Sequence, residues 1–479
     1  MEKNKGNAKE IFKLLINKVE KEDLSRLAFE MTDGESHKLN KNKITVIVID
    51  KFLEIAEENK NPLAKFGNEI RIYNGRFWEI LDSNYLSSKL VEIALKMGVQ
   101  ILEAKHHKFQ NELLFQLYAR SYREFKEIDN SVLINVKNGT LEITRGQISL
   151  REFKLENGLI YQMNYDYNPK ASNLIFQNNY LDKVLPKDLQ LILAEAIANI
   201  FIKNDFIKLE KVPMLLGSGA NGKSVVFEIL NALLGEENIS NYSLETLLDR
   251  NGYGRGMISG KLVNYASEIS GKINANIFKQ LASNEEIDAR LPYGNPFIIK
   301  NYAKLMFNCN TLPETDESSN AFYRRLLIIP FDKTIPEKEQ DKELSNKIIK
   351  NELSGVLNWV LEGLQRLIIQ KNFSQSAAVD NALLTYKRSS DNVILFISEN
   401  NYKRSVKSFQ TIKFLYDDYK NFCIDWNYRP INKNKFISKI KSLNYDIKRM
   451  SSGIVAYMEV ENKAEEKTEN QTQLDFPGN

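Results

Sequence analysis

One stretch of the chain has the spacing of a phosphate-binding loop, G-x-x-x-x-G-K-[ST], and it runs from Gly217 to Ser224. Glycines let the backbone aim successive N–H groups at a phosphate, and a following helix adds the partial positive charge of its N-terminus. The apolar run before the loop indicates a buried strand, and the run after it indicates a helix. A chance match in a turn would lack these two flanking elements. We expect ATP to be bound by Gly217, Ser218, Gly219, Ala220, Asn221, Gly222, Lys223, Ser224 and Val225.

Within this loop, Lys223 is expected to reach the β- and γ-phosphates, and Ser224 to coordinate Mg²⁺. Such a loop requires an acidic partner on a second strand. Glu268 follows the apolar stretch KLVNYAS and is the predicted second magnesium ligand and the group that polarises the attacking water. A solvated charge at a strand end is the alternative for Glu268. Asp249 is a weaker rival, because no buried strand leads into it.

Two further motifs carry polar groups that could act on a γ-phosphate. In YAKLMFNCNTLP, Asn310 follows an apolar strand and could sense the phosphate or orient water, with Asn308 as the competing position. In FYRRLLIIPF, Arg324 and Arg325 precede a strand, and an arginine given to a neighbouring subunit would stabilise transition-state charge. The alternatives are a turn asparagine and surface arginines. We predict a catalytic set of Lys223, Glu268, Asn310, Arg324 and Arg325.

The order of these motifs within about 115 residues resembles that of the superfamily 3 helicases. The chain most resembles the phage/plasmid primase–helicase family, which is related to the poxvirus primase–helicase, and the resemblance covers roughly residues 65–460. It implies an AAA+-like core in a hexameric ring that moves on single-stranded DNA, usually 3′ to 5′. ATP sites would lie between subunits, with Lys223, Ser224 and Glu268 from one subunit and Arg324 or Arg325 from its neighbour.

The resemblance also implies a β-hairpin that projects into the ring channel, between Glu268 and Asn310. The turn chemistry of Pro292-Tyr293-Gly294-Asn295 suits the hairpin tip. Relatives usually carry a lysine after the tyrosine, where this chain has Gly294, so Arg290 is expected to contribute more to phosphate contact. An ordinary surface hairpin is the alternative. The expected DNA contacts are Lys279, Arg290, Tyr293 and Lys300.

Composition excludes several classes of protein. The 479 residues are 43% hydrophobic and 27% charged, with a net charge of +4, so nucleic-acid binding must be argued from local clusters. Two cysteines and three histidines leave little room for a zinc site, and Cys309 and Cys423 are expected to be reduced thiols. No apolar run reaches the length of a membrane span, and the first residues do not read as a signal peptide. We expect no membrane partner and a location in the cytoplasm of a bacterial host.

Periodicity and turn signals divide the chain into six units, with an α/β core and a mainly parallel sheet. Helices are expected over 1–60, 84–130, 170–205 and 336–385, a hairpin at Asn74-Gly75, and short strands over 131–165. The units are a helical segment (1–65), a helical and β domain (66–205), the ATPase core (206–335), a helical connector (336–388), a winged-helix-like DNA-binding domain (389–460) and a disordered tail (461–479).

The two ends of the chain suggest partners. A primase would require clustered carboxylates for two metals, so we expect no primer synthesis by this chain alone. Residues 1–65 could instead form a collar or dock a separate primase. KNKFISKIKSLNYDIKR suits a winged helix on duplex DNA, or alternatively a solvated basic face. Gln471, Leu474 and Phe476 resemble the peptides by which bacterial replication proteins bind the sliding clamp.

Three functions remain in competition at this point. The first is a hexameric replicative DNA helicase of a phage or mobile element, which acts on single-stranded and forked DNA with ATP and Mg²⁺. The second is a replication initiator or loader that uses ATP as an assembly switch without processive unwinding. The third is a DNA-packaging ATPase, against which the short spacing from the loop to Asn310 and the lack of nuclease carboxylates argue.

Overall fold

The computed structural model describes residues 7–31, 39–125, 130–267, 269, 273–292, 294–313, 315, 319–426, 428–451 and 453–460. The helices are α1 (Ala8–Asn17), α2 (Leu24–Glu30), α3 (Lys41–Glu58), α4 (Ser83–Lys96), α5 (Ile101–Ala104), α6 (His107–Arg120), α7 (Asp182–Val184), α8 (Lys187–Ala198), α9 (Lys223–Leu234), α10 (Leu244–Leu248), α11 (Tyr253–Gly256), α12 (Ala275–Ala282), α13 (Asn320–Tyr323), α14 (Leu344–Gln370), α15 (Ala377–Ser389), α16 (Asn392–Glu399), α17 (Ile412–Asp425) and α18 (Lys433–Ser442). A π-helix over Ile175–Leu181 leads directly into α7.

The strands are β1 (Leu63–Phe66), β2 (Glu69–Tyr73), β3 (Trp78–Leu81), β4 (Val132–Val136), β5 (Gly139–Thr144), β6 (Gln147–Arg151), β7 (Val212–Leu216), β8 (Ile239–Ser240), β9 (Val263–Ala266), β10 (Ile287–Ala289), β11 (Phe297–Ile299), β12 (Lys304–Cys309), β13 (Leu326–Pro330), β14 (Tyr402–Arg404), β15 (Gln410–Thr411), β16 (Ile447–Met450), β17 (Gly453–Ala456) and β18 (Met458–Val460). The mixed α/β class is confirmed.

At the centre is a five-stranded sheet in the order β13-β7-β12-β9-β8, in which every paired strand is parallel. Its strands are apolar runs because both faces are covered. Along β13, Leu326 and Ile328 enter the core on one face, and Leu327 and Ile329 enter the core on the other. β7 is the first strand of this sheet in the chain, but it lies between β13 and β12. The strand order therefore reverses beside its carboxyl end, and ligands of such parallel sheets bind at that kind of position.

The helices α8, α9 and α14 pack together over one face of this sheet. Two glycines allow α14 to approach its neighbours closely. A Cβ at Gly355 would lie 2.0 Å from the carbonyl oxygen of Ser172, and one at Gly363 would lie 2.7 Å from the backbone of Ala194 in α8. In the predicted connector, α14 therefore packs against α9, the helix that follows the predicted phosphate loop.

The hydrophobic cores do not divide at residues 65 and 205, where the sequence suggested boundaries. Residues 8–58 share one core with residues 63–117. Residues 132–207 instead share a core with α9 and α14. A separate core begins at Val393 and includes α16, α17 and α18, close to the predicted boundary at 389.

Local predictions from turn chemistry agree with the structure. Asn74-Gly75 lies in the turn between β2 and β3, and Asn138 and Gly146 lie in the turns of the β4-β5-β6 meander. The expected strand after Leu159 is different: it is an extended segment that joins β4 through only two backbone bonds, Met163 N–H to Asn135 and Lys137 N–H to Tyr165. The side chains of Asn135 and Gln162 also bond this segment to β4, in place of a regular ladder.

Candidate nucleotide and DNA site

The predicted phosphate loop lies at the carboxyl end of β7 and leads into α9. Gly219 (φ 113°) and Gly222 (φ 89°) take left-handed backbone conformations, and Ala220 does so at φ 48°. Such conformations favour glycine and create the concave row of N–H groups that holds a phosphate. The carbonyl of Gly222 accepts a hydrogen bond from the Tyr180 hydroxyl at 2.8 Å, which fastens the π-helix to the loop.

Lys223 is buried at the first position of α9. Its Nζ donates to the carbonyl oxygen of Gly217 at 2.5 Å and to Oδ1 of Asn221 at 3.0 Å. Burial lowers the pKa of Lys223, although the neighbouring Cys309 raises it. The ammonium therefore lies inside the loop on exchangeable polar partners, and a phosphate oxygen could replace them.

The loop is also fixed to the end of β13. The Nδ2 of Asn221 donates to the carbonyl oxygen of Phe331 at 3.1 Å, and Phe331 N–H donates to Leu216 at 2.7 Å. Ile335 N–H donates to Ala220 at 2.8 Å. A Cβ at Gly217 would lie 2.0 Å from Nδ2 of Asn221, so only glycine leaves room for this link. The surroundings fit a triphosphate: an N–H cradle, a lysine and the N-terminus of a 12-residue helix.

Of the two predicted magnesium ligands, one lies among the described residues and one does not. Ser224 is exposed in the first turn of α9, beside the loop. Glu268 is not among the described residues, but β9, which leads towards it, is a buried strand next to β12. Asp249 is placed differently: its carboxylate accepts from Asn251 N–H in a turn after α10 and lies on no strand of the sheet. Within the described residues there is no group of three or more His, Cys, Asp or Glu side chains that could hold a metal.

The asparagine in β12 and the one that follows this strand have different environments. Asn308 is buried, and its Oδ1 accepts from the Tyr265 hydroxyl at 2.7 Å. Asn310 is exposed immediately after the strand, next to Cys309, whose carbonyl accepts from Gly217 N–H at 3.0 Å. Asn310 is therefore at the phosphate edge of the sheet with an accessible side chain, whereas Asn308 is already bonded within the core.

The two arginines lie at the opposite edge, before β13. Arg325 is buried, and its guanidinium donates to Oγ of Ser283 (2.8 and 3.1 Å) and to the carbonyl of Ala321 (2.6 Å). The side chain of Arg324 is 64% exposed and has an ion pair with Glu210 at 3.6 Å. Five strand residues, roughly 16 Å at 3.3 Å per residue, separate Arg324 from the phosphate edge of its own chain. Of the two, only Arg324 presents its guanidinium to the surface.

The expected hairpin is present as the antiparallel pair β10-β11. Arg290 begins its loop, and its Nε donates to the carbonyl of Gly294 at 2.9 Å, so this side chain also shapes the loop. Lys300 is exposed in an ion pair with Glu286 at 2.7 Å. Lys279 lies half-buried in α12, and Tyr293 is outside the described residues.

A buried arginine that the motifs did not reveal fixes this hairpin to the sheet domain. Arg255 donates to the backbone carbonyls of Leu247, Asp249 and Asp288, and it forms an ion pair with the Asp288 carboxylate at 2.7 Å. Gly252 leaves the space for it, since a Cβ there would lie 2.9 Å from Nη2 of Arg255. The glycine-rich string NGYGRG was the available signal in the sequence.

The residues 392–460 combine three helices with short antiparallel strands, β15-β17-β16 and β14-β18. On α18, Lys433, Lys435 and Lys441 are exposed, whereas Lys439 forms an ion pair with the buried Asp391. Exposed Lys448 and Arg449 follow on β16. The basic face predicted from the sequence is therefore present, but Lys439 does not contribute to it because this lysine is paired with Asp391.

Both cysteines are free and buried, and burial raises the pKa of Cys309 to about 12, which leaves it an unreactive thiol. None of the described helices has the length and apolar content that crossing a bilayer would require. The predicted clamp peptide with Gln471, Leu474 and Phe476 lies outside the described residues.

Comparisons with known proteins bear on the motor motifs. A model of a family of unknown function, DUF5906, matches residues 215–325, from the P-loop strand to the arginine pair. The chain is 22% identical over 402 residues to "Putative helicase 121R" of invertebrate iridescent virus 3, covering 73% of this chain. It is 25% identical over 237 residues to "Putative helicase L207/L206" of Acanthamoeba polyphaga mimivirus, covering 46% of this chain. The predicted resemblance to helicases is confirmed by these relatives, both of which are named putative helicases.

The chain matches only part of these viral relatives, 41% of the length of the first and 24% of the second. Among solved structures, apo forms of the NrS-1 C-terminal region are similar at 13–14% identity, with TM-scores of 0.42, 0.45 and 0.47. These matches cover 85–88% of this chain and 98–100% of those chains.

Proposed function

We propose that this chain is the ATP-driven motor of a replicative DNA helicase of superfamily 3 that works as a ring, most simply a hexamer. The observation that carries the proposal is the placement of charge on the β7-β13 strand pair. Lys223 lies at the carboxyl edge inside the phosphate loop, and Arg324 is exposed at the amino edge. Because one chain cannot bring both to one nucleotide, the pair suits a site shared by two subunits.

In the proposed mechanism, Lys223 leaves the carbonyl of Gly217 and the amide of Asn221 and contacts the β- and γ-phosphates. Asn221 stays bonded to Phe331, which keeps the loop fixed on β13 during this exchange. Ser224 and Glu268 are proposed to hold Mg²⁺, which when bound neutralises phosphate charge, and Glu268 also orients the attacking water. Asn310 contacts the γ-phosphate, and Arg324 reaches the nucleotide of the neighbouring subunit. Arg325, bonded to Ser283, has the supporting role.

DNA contact is proposed at two places. The β10-β11 hairpin, with Arg290, Lys300 and the expected Tyr293, faces single-stranded DNA in the channel, and Lys279 on α12 is a further proposed DNA contact. The residues 389–460 form a winged-helix-like unit with twelve basic and seven acidic side chains, whereas the whole chain has a net charge of +4. This local excess of positive charge suits the phosphates of the duplex ahead of the ring.

ATP hydrolysis with and without single-stranded DNA tests the proposal. We expect the wild type to show DNA-stimulated turnover and to unwind a forked duplex, and Lys223→Ala to lose both activities. Lys108→Ala, an exposed lysine on α6, is the matched control and should retain both activities. ATP binding with negligible turnover and no response to DNA would contradict the motor and favour an initiator or loader that uses ATP as an assembly switch.

A further inference from the structure

Four side chains form a connected polar cluster at the amino edge of the sheet, and we call Glu210, Ser283, Arg324 and Arg325 the edge cluster. Glu210 has ion pairs with Arg324 and Arg325, each at 3.6 Å. The hydroxyl of Ser283 accepts from Nε and Nη2 of Arg325, at 3.1 and 2.8 Å. The exposed Arg324 is thus linked to Ser283 through the carboxylate of Glu210 and the guanidinium of Arg325.

Ser283 is the structural connection between this cluster and the hairpin. It is the C-cap of α12 and is 1% exposed, and β10 begins at Ile287, four residues later. Its carbonyl accepts from Nδ2 of Asn204 at 2.6 Å. After β11, the Tyr302 hydroxyl donates towards the carbonyls of Gln280 and Glu285, at 3.3 and 2.8 Å. Both strands of the hairpin are therefore tied to the end of α12 that carries Ser283.

Glu210 is held in a costly conformation that fits a positioning role. Its φ of 47° lies in the left-handed region, which a residue with a Cβ adopts at a cost. Lys208 holds its Oε1 at 2.9 Å, which leaves Oε2 towards the two arginines. The carboxylate can therefore bias where the long, otherwise solvent-directed side chain of Arg324 points.

We propose that Ser283 and Glu210 are positioning residues that transmit displacement of the hairpin to Arg324. When DNA moves the β10-β11 hairpin, the end of α12 moves with it, and the hydroxyl of Ser283 shifts Arg325 and Glu210 together. Arg324 then changes its position relative to the nucleotide of the neighbouring subunit. This inference rests on the proposed function, since it requires the hairpin to meet DNA and Arg324 to act across a subunit boundary.

The test measures kcat and KM for ATP with and without single-stranded DNA, and DNA affinity, in the full chain. In Ser283→Ala we expect the DNA-stimulated kcat to fall about fivefold towards the basal rate, with the basal rate, KM and DNA affinity unchanged. Ser121→Ala is the matched control, because Ser121 is buried and its Oγ has no hydrogen-bond partner among the described residues. Glu210→Gln keeps the shape, removes the charge and should lose stimulation similarly, so it also decides the matter if Ser283→Ala does not fold.

The outcomes separate the two ideas. If the wild type shows no DNA stimulation, or Arg324→Ala is as active as the wild type, the proposed function fails and the inference fails with it. If the wild type and Arg324→Ala behave as proposed but Ser283→Ala and Glu210→Gln keep full stimulation, only the inference is overturned. A rise in KM or a loss of DNA affinity instead of kcat would also overturn it, since that result indicates general damage to a binding site.

Discussion

At the residue scale, two lysines beside the central sheet have lost much of their contact with water, with different consequences. Lys223 lies in the predicted phosphate loop, where the proposed nucleotide would replace its partners Gly217 and Asn221. Lys304 begins β12 at the other edge and donates to Oδ1 of Asn204 at 2.6 Å. Burial lowers the pKa of Lys304 to about 8, although Asp205 raises it. At pH values where Lys304 stays charged in the folded state, its burial therefore lowers the free energy of unfolding.

This cost predicts a pH dependence with a definite sign. Between pH 8 and the ordinary value of 10.5, the unfolded chain binds the proton of Lys304 and the folded chain has released it, so stability rises with pH. Relative to Lys304→Met, the wild type should gain about 2 kcal/mol in the free energy of unfolding from pH 7.5 to 9.5. Urea titrations of both proteins at the two pH values measure this gain. A constant difference between them would contradict the prediction.

The sequence predicted which residues belong to the candidate site more readily than it predicted the contacts that these residues make. The loop from Gly217 to Ser224 has a fixed spacing and could be predicted with its strand and helix. The choice between Arg324 and Arg325 could not be made, because it depends on Ser283, 42 positions away. The sequence could not show which of Asn308 and Asn310 is available to a ligand, because this depends on the hydrogen bond from Tyr265 to Asn308. Contacts between distant parts of a chain leave no local pattern.

At the scale of elements, a buried ion pair joins α8 to α14. The carboxylate of Glu195 is fully buried and accepts from Arg366 Nε at 3.0 Å, and it also accepts from the N–H and hydroxyl of Ser374. Removing one partner of such a pair leaves an uncompensated charge in the core. The packing of these helices behind the phosphate loop depends on keeping the pair intact.

We therefore expect Arg366→Ala to lower the free energy of unfolding by about 3 kcal/mol. Urea unfolding followed by tryptophan fluorescence measures the change, since Trp359 on α14 is buried in the same core. Arg26→Ala provides the comparison, because its i,i+4 pair with Glu30 lies on the surface and its loss should leave the transition unchanged. Equal effects of the two substitutions would show that the buried pair has no special importance.

Elements with local signals were predicted well, and those made by distant pairing were not. Hairpin turns such as Asn74-Gly75 combine turn chemistry with alternating neighbours, so β2 and β3 followed from the sequence. β1 did not, since it is a short edge strand next to a loop. The segment after Leu159 has the composition of a strand, but side-chain bonds to β4 replace most of its ladder.

At the scale of the whole molecule, the two edges of the sheet predict a complementation experiment. If the active site joins Lys223 of one subunit to Arg324 of the next, Lys223→Ala and Arg324→Ala should each be inactive alone. Random mixing in equal amounts would create an intact site at about a quarter of the boundaries, and thus about a quarter of the wild-type ATPase rate. Two inactive proteins whose mixture stays inactive would contradict a shared site. The double variant mixed with the wild type is the control.

The long helix α14 also has a consequence for how the cell makes this protein. The ribosome synthesises α9 well before α14, the helix that packs over it. Nearly 150 residues separate the start of α9 at Lys223 from the end of α14 at Gln370. At about 5–20 residues per second, that delay is roughly 7–30 s. Throughout it, the apolar side of α9 lacks the contacts that α14 makes with it in the folded core. Chaperones that bind nascent apolar segments are therefore expected to occupy this stretch, and codon changes that slow translation before Leu344 should increase aggregation.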